Sequence, residues 1–253
     1  MTSRDPLRIT GRFFDDFNRT PDSHTEHHMA LKITFHGHST FTLSDGSSKV
    51  LIDPFFTGNP QAKVAADDIS CSHILLSHGH EDHMSDAVSI ASRCDATVHA
   101  TFEITSALER EGLSKTEPAN AGGRVKTVFG SVSFTPAFHS SSFNGEYMGM
   151  PLGIIIEIGT HTVYFTGDTS LFSDMKLIKE LYTPDVLILP IGDRFTMGPE
   201  HGTIAADWIG ADVTIPCHYG TWPLIDADVS RFTPQNTRVE MLQPEESLDI
   251  ASK

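Results

Sequence analysis

The run from Leu75 to Asp86 reads LLSHGHEDHMSD and packs His78, His80, Asp82 and His83 into six residues, directly after an apolar stretch. His78 and His80 are two apart, so on an extended segment both rings point to one side. Asp82 and His83 fall where a helix would begin and can face the same pocket from its N-terminal end. Four such groups at one strand end suit Zn²⁺, Mn²⁺ or Fe. A packed core rarely tolerates them, because each buried polar group needs its own partner. The chain carries 14 His in 253 residues, so clustering alone does not decide between metal site and polar loop.

Three other stretches weigh in. FTPAFHSSS puts His139 after an apolar run, VYFTGDTS puts Asp168 after another, and VTIPCHYG puts His218 after a third. Each alone has a plain explanation: a turn histidine, a turn aspartate after Gly167, a half-buried strand end. Together they make five His and two Asp, each just past a strand, a repetition that chance does not readily supply.

The elements that must position these groups are short. KVLIDP, HILLS, ATVHA, RVKTVF, VSFTPAF, GIIIEIG, HTVYFTGD, DVLILP, DVTIPCH and RVEML are strand-length, rich in Val, Ile, Phe and Thr, and bounded by Gly, Pro, Asp or Asn. Helical spacing is expected over 84–93, 103–111, 174–182 (with Met175, Ile178 and Leu181 on one face) and 200–209. Many strands with a few interspersed helices imply sheets covered by helices. Residues 1–28 read as a polar leader whose His24, His27 and His28 are solvated, and 29–253 as one domain.

Acidic residues outnumber basic ones 33 to 18, a formal charge of −15. Such a surface repels phosphate backbones and anionic membranes, so no nucleic-acid or membrane partner is expected. Three widely spaced cysteines, Cys71, Cys94 and Cys217, describe no disulfide framework and read as packed thiols. Without a secretory signal or a membrane-length apolar run, the expected compartment is cytoplasmic.

The pattern H-x-H-x-D-H, then a distant H, then G-D, then H resembles the signature of the metallo-β-lactamase superfamily, and His78, His80, Asp82, His83, His139, Asp168 and His218 match it one by one. ITFHGHSTF, LIDPFFTGNP, FHSSS, GDTSLFSDMKLI and LPIGDRFTMGP further resemble a subgroup of metal-dependent hydrolases related to the L-ascorbate-6-phosphate lactonases. The resemblance runs from about Leu31 to Pro223. It implies an α+β fold, the αββα sandwich of two mixed sheets flanked by helices. It also implies two divalent ions at one edge of the sheets, Zn²⁺ first, Mn²⁺ next and Fe last. His78, His80 and His139 would hold one, Asp82, His83 and His218 the other, and Asp168 would bridge.

The implied activity is hydrolysis of a small-molecule ester, lactone or phosphodiester by a metal-bridging hydroxide, with Asp82 orienting the nucleophile. His38 in HGHST is the candidate proton donor or substrate contact, or else a turn histidine; His36 reads as structural. Asp53 would orient a ligand imidazole, or be a turn carboxylate before Pro54. Arg194 would clamp a substrate anion, or pair at the surface with Asp193 or Glu200. Ser140 to Ser142 would bond to the site or make a tight turn. Two alternatives stand beside hydrolysis: a diiron redox protein of the same fold, and a metal-binding scaffold without catalysis.

Overall fold

In the KVLI segment, Val50 and Ile52 point one way and Leu51 the other, yet all three are fully buried. The same holds for Ile154, Ile155 and Ile156. Strands buried on both faces need cover on both, and that requirement sets the layering. The computed structural model describes residues 30–252; the leader expected over 1–28, with its three histidines, lies outside the described residues.

The first sheet takes β1 (Leu31–Gly37), β2 (Thr40–Ser44), β3 (Lys49–Ile52), β4 (His73–Leu75), β5 (Thr97–Thr101) and β6 (Thr116–Ala119) in chain order. The second takes β7 (Arg124–Thr127) and β8 (Gly130–Pro136), then, after a hairpin of β9 (Ser142–Phe143) and β10 (Glu146–Tyr147), β11 (Leu152–Ile158) and β12 (His161–Phe165). It continues through β13 (Val186–Pro190), β14 (Val213–Cys217) and β15 (Arg238–Val239). The last strand, β16 (Ser247–Ile250), returns to the first sheet beside β1. Both sheets are mixed: β1 to β3 are antiparallel and β3 to β6 parallel, while β8, β11 and β12 are antiparallel and β12 to β15 parallel.

Three apolar layers result. Ile33, Phe41, Ile52 and Leu75 meet Ile154, Ile156, Phe165 and Ile188 between the sheets. Outside the first sheet, Leu51, Ile74 and Val98 are covered by α2 (Ala87–Cys94) and α3 (Phe102–Arg110), which follow the short α1 (Glu81–Met84). Outside the second, Ile155, Tyr164 and Leu187 are covered by α4 (Met175–Tyr182) and α5 (Pro199–Ile209). This is the expected αββα arrangement.

Some local expectations change. The helix expected over 84–93 is two helices, because the Asp86 carboxylate accepts from the Phe56 and Thr57 backbone N–H groups and breaks the run. Leu181, expected on the buried face of α4, is 69% exposed, and in the last turn it is Tyr182 that packs with Met175 and Ile178 against the second sheet. Cys94 is half-buried rather than buried.

Strand direction matters most for function. β1, β3 and β4 run one way and end at His38, Asp53 and His78. β8, β12 and β14 likewise share a direction and end at His139, Asp168 and His218. Ligand-bearing loops at carboxyl ends of strands are the usual arrangement in open sheets with parallel strands.

Away from that edge, His73 Nδ1 lies 3.0 Å from His99 Nε2. Burial, with His73 beside it, holds the His99 pKa down to about 4. The unfolded chain takes this proton near pH 6.5, so the contribution is complete above that pH and is lost as pH falls from about 6.5 toward 4. His99→Leu should therefore reduce the loss of unfolding free energy between pH 7 and 5 by about 2 kcal/mol. Urea titrations at both pH values check this, and equal losses in the two proteins would contradict it.

Candidate metal centre

The loop after β4 enters α1 within five residues, so His78 and His80 leave an extended segment while Asp82 and His83 sit in the first helical turn. Gly79 lets this happen in little space: a Cβ there would lie 2.3 Å from Met148 Cβ. Gly167, ahead of Asp168, has φ +60° and a missing Cβ that would meet the Leu152 carbonyl at 2.5 Å. His38, Asp53 and His218, none of them glycine, also occupy the left-handed region, with φ of 57°, 44° and 54°. Such residues cost about 1–3 kcal/mol each and persist where the surroundings over-determine them.

Three groups of donors converge, one of Asp53, His78 and His83, and two that share no residue with each other. The ligand nitrogens of His78, His80 and His139 lie within 4.8 Å of one another, as do those of His38, His83 and His218 with an Asp82 oxygen. Asp168 Oδ2 stands between the groups: 3.0 Å from His218 Nε2, 3.3 Å from His83 Nε2 and 3.7 Å from His139 Nε2.

The supporting hydrogen bonds fix which ring nitrogens face inward. Asp53 is fully buried, and its Oδ2 accepts from His83 Nδ1 at 2.8 Å. The same carboxylate accepts from the Ser77 hydroxyl and backbone N–H, and Ser77 Oγ accepts in turn from His78 Nδ1 at 2.9 Å. One carboxylate thus commits both Nδ1 atoms and leaves both Nε2 lone pairs for the site.

A metal fits these residues. His83 Nε2 is buried without a hydrogen bond of sound geometry, and His78 Nε2, its lone pair turned into the site, has another imidazole of the group, His80 Nδ1, at 2.9 Å. Nitrogen and carboxylate donors in tight groups suit a borderline or hard divalent ion.

The electrostatics agree. Burial lowers the His78 pKa well below the usual imidazole range, with charged His83 adding to the effect. At His83 burial acts the same way, but Asp168 and Asp82 outweigh it and raise the pKa well above that range. Burial would raise Asp168, yet His218 and His83 hold it well below the ordinary carboxylate value. Burial is the main cause raising Asp53, against its bonds to His83 and Ser77. A proton and a cation are therefore alternatives at His83 Nε2.

Other residues read from the sequence are placed as follows. His38 is fully buried, with Nδ1 2.8 Å from Thr221 Oγ1 and Nε2 3.1 Å from Asp82 Oδ2. Both ring nitrogens are thereby committed, and burial followed by His218 lowers its pKa to about 4. His36 bonds to Glu245 and Thr42. Arg194 lies on the surface over its neighbour Phe195, 5.7 Å from the ring, and belongs to neither group. Glu200, offered as its partner, pairs instead with Arg231. Cys217 packs between the sheets, and no cysteine belongs to the metal-type groups among the described residues. Ser140 Oγ lies 3.2 Å from His80 Nε2, and Ser141 Oγ accepts from Gly79 N–H. Sequence reasoning missed Ser77, Thr221 and Gln61, whose Oε1 accepts from His38 N–H at 2.7 Å. Adjacency to His78 and His218 was the available signal for the first two; Gln61 had none.

Asp53→Asn should weaken metal affinity by about 10–100-fold, since the amide no longer offers the same acceptor to both His83 and Ser77. Gly79→Ala, which drives the loop against Met148, should weaken it at least as much. Competition with a chromogenic chelator measures both, and wild-type affinity in both variants would contradict this reading of the site.

The beta-lactamase superfamily domain model matches residues 48–219. A UPF0173 metal-dependent hydrolase of Bacillus cereus strain AH187 is 45% identical over 228 residues, covering 87% of this chain and 100% of its own length. The solved structure of Igni18, a metallo hydrolase from the archaeon Ignicoccus hospitalis, is 33% identical with a TM-score of 0.81, covering 89% of this chain and all of that one. An isothiocyanate hydrolase from Delia radicum gut bacteria shares the fold, with a TM-score of 0.71 at 17% identity, over 87% of this chain and 100% of its own. With the αββα layers and the histidine–aspartate site, these similarities show that the chain belongs to the metallo-β-lactamase superfamily, in the family of the UPF0173 metal-dependent hydrolases.

Proposed function

We propose that each of the two donor groups that share no residue holds one divalent ion, Zn²⁺ before Mn²⁺ and Fe last, and that the protein hydrolyses a small ester, lactone or phosphodiester. The observation that carries the two-ion reading is Asp168 Oδ2, 3.0 Å from His218 Nε2 in one group and 3.7 Å from His139 Nε2 in the other. A carboxylate shared between two sets of donors suits a pair of cations better than one. When bound, such ions supply an acidified water as nucleophile and positive charge against the developing oxyanion.

The chain's own residues do the rest. His78, His80 and His139 would hold the first ion and Asp82, His83 and His218 the second, with the Asp168 carboxylate lying between the two groups. Asp53 keeps the His78 and His83 lone pairs directed inward. His38 works on Asp82: neutral, with Thr221 donating to Nδ1, it carries its proton on Nε2 and donates it to the Asp82 carboxylate. It fixes the free face of Asp82, so its role is positioning rather than proton donation to a leaving group. The acidic surface favours a small-molecule substrate over a nucleic acid. Among the described residues no helix is long and apolar enough to cross a membrane.

His80→Ala should abolish turnover across a panel of esters, lactones and phosphodiesters while leaving the far-UV circular dichroism unchanged. Metal-replete wild type that turns over nothing in the panel would favour a non-catalytic scaffold. Iron content with electron-transfer turnover and no hydrolysis would replace this reading with the redox one.

A further inference from the structure

Past β8 the chain runs through Phe138, His139 and Ser140 before the β9–β10 hairpin turns back. Between this segment and the hairpin lies a pocket of about 640 Å³, lined by Phe138, His139, Ser140, Tyr147 and Met150 among others. Phe138, Tyr147 and Met150 are 56%, 68% and 38% exposed. Three large apolar side chains gathered at one mouth mark a surface built to be covered.

The wall is held in place. Phe138 N–H donates to Thr169 Oγ1, its carbonyl accepts from Ser170 N–H, and its ring meets Phe172 edge-on at 4.9 Å. It is therefore fastened to the loop that carries Asp168. The hairpin is fastened to the histidine loop, since Met148 N–H donates to the Ser141 carbonyl while Ser141 Oγ accepts from Gly79 N–H. Through His139 and through Ser140, which reaches His80, the pocket is continuous with the first donor group.

Its charge is the deciding observation. No Lys, Arg, Asp or Glu lines it. A charged arm of a substrate would be met by an opposite charge in its pocket, and none lines this one. We infer that this pocket seats an uncharged hydrocarbon arm of the substrate, beside whichever ester, lactone or phosphodiester bond is cut at the donor groups. The inference rests on the hydrolase reading for the bond that is cut, and on the pocket for what flanks it.

Isothermal titration of the Zn²⁺-loaded protein with acetohydroxamate and octanohydroxamate tests it without turnover. The two share a metal-binding head and differ only in alkyl length. Each fully buried methylene adds roughly fourfold in affinity, so partial burial of the longer chain should give at least about tenfold tighter binding. In the Phe138→Ser/Tyr147→Ser double variant the ratio should fall toward one while acetohydroxamate affinity holds, which separates loss of the pocket from damage to the metal site. Equal affinities in wild type, binding of neither ligand, or an undiminished ratio in the variant would overturn the proposal. So would a change in oligomeric mass of the variant by light scattering, which would make the patch a contact between two copies. Absence of all hydrolysis beside a clear chain-length preference would count against the hydrolase reading alone.

Discussion

Five imidazoles and two carboxylates are driven into one partly dry cleft between two sheets, where every buried polar atom needs a partner. His83 Nε2 is buried without a hydrogen bond, and Asp168 Oδ2 lies 3.0–3.7 Å from the Nε2 atoms of His218, His83 and His139, an arrangement suited to a cation that receives the lone pairs. In a cation's absence the chain must place a proton on His83 between Asp168 and Asp82, which is what its raised pKa records. The left-handed backbones at His38, Asp53 and His218 belong to the same constraint. They aim side chains inward at a cost that the surrounding sheets, rigid and buried on both faces, are able to hold.

The scaffold meets this demand with few parts. Strands of common direction in each sheet end at the same edge, so six loops deliver the site without long excursions. One buried carboxylate, Asp53, sets two ring orientations through Ser77 and His83, and another, Asp82, sets the tautomer of His38 while the Thr221 hydroxyl donates to Nδ1. Gly79 and Gly167 supply the close approaches that any side chain would block. Metal-site geometry here depends as much on these supports as on the ligands themselves.

Much of this was legible in the sequence because the signals are local. Strand ends carry Gly, Pro or Asp, and the ligand residues follow apolar runs, so His139, Asp168 and His218 could be matched to SHGHEDH without coordinates. The αββα layering could be anticipated from the resemblance, and the double-sided burial of VLI and III is consistent with it. What was hidden depends on contacts distant in the chain. Gln61 reaches His38 across 23 positions and Thr221 across 183, neither with a spacing rule to betray it. Leu181 follows the helical period of α4 but stays exposed, because the buried face passes to Tyr182 in the last turn and the period allows either. β6 and β16 escaped notice as short, half-exposed strands, one containing Pro118. Arg194 drew attention by its charge in an acidic chain, yet a side chain's rarity says nothing of where it points.

The central claim is that these seven ligands exist to hold a pair of ions. It is tested most directly by elemental analysis of the purified protein after loading the apo form with Zn²⁺ and, separately, Mn²⁺, followed by desalting. The account predicts two ions per chain in wild type. A wild-type protein that retains fewer than one ion per chain, yet still hydrolyses a substrate in excess chelator, would contradict it.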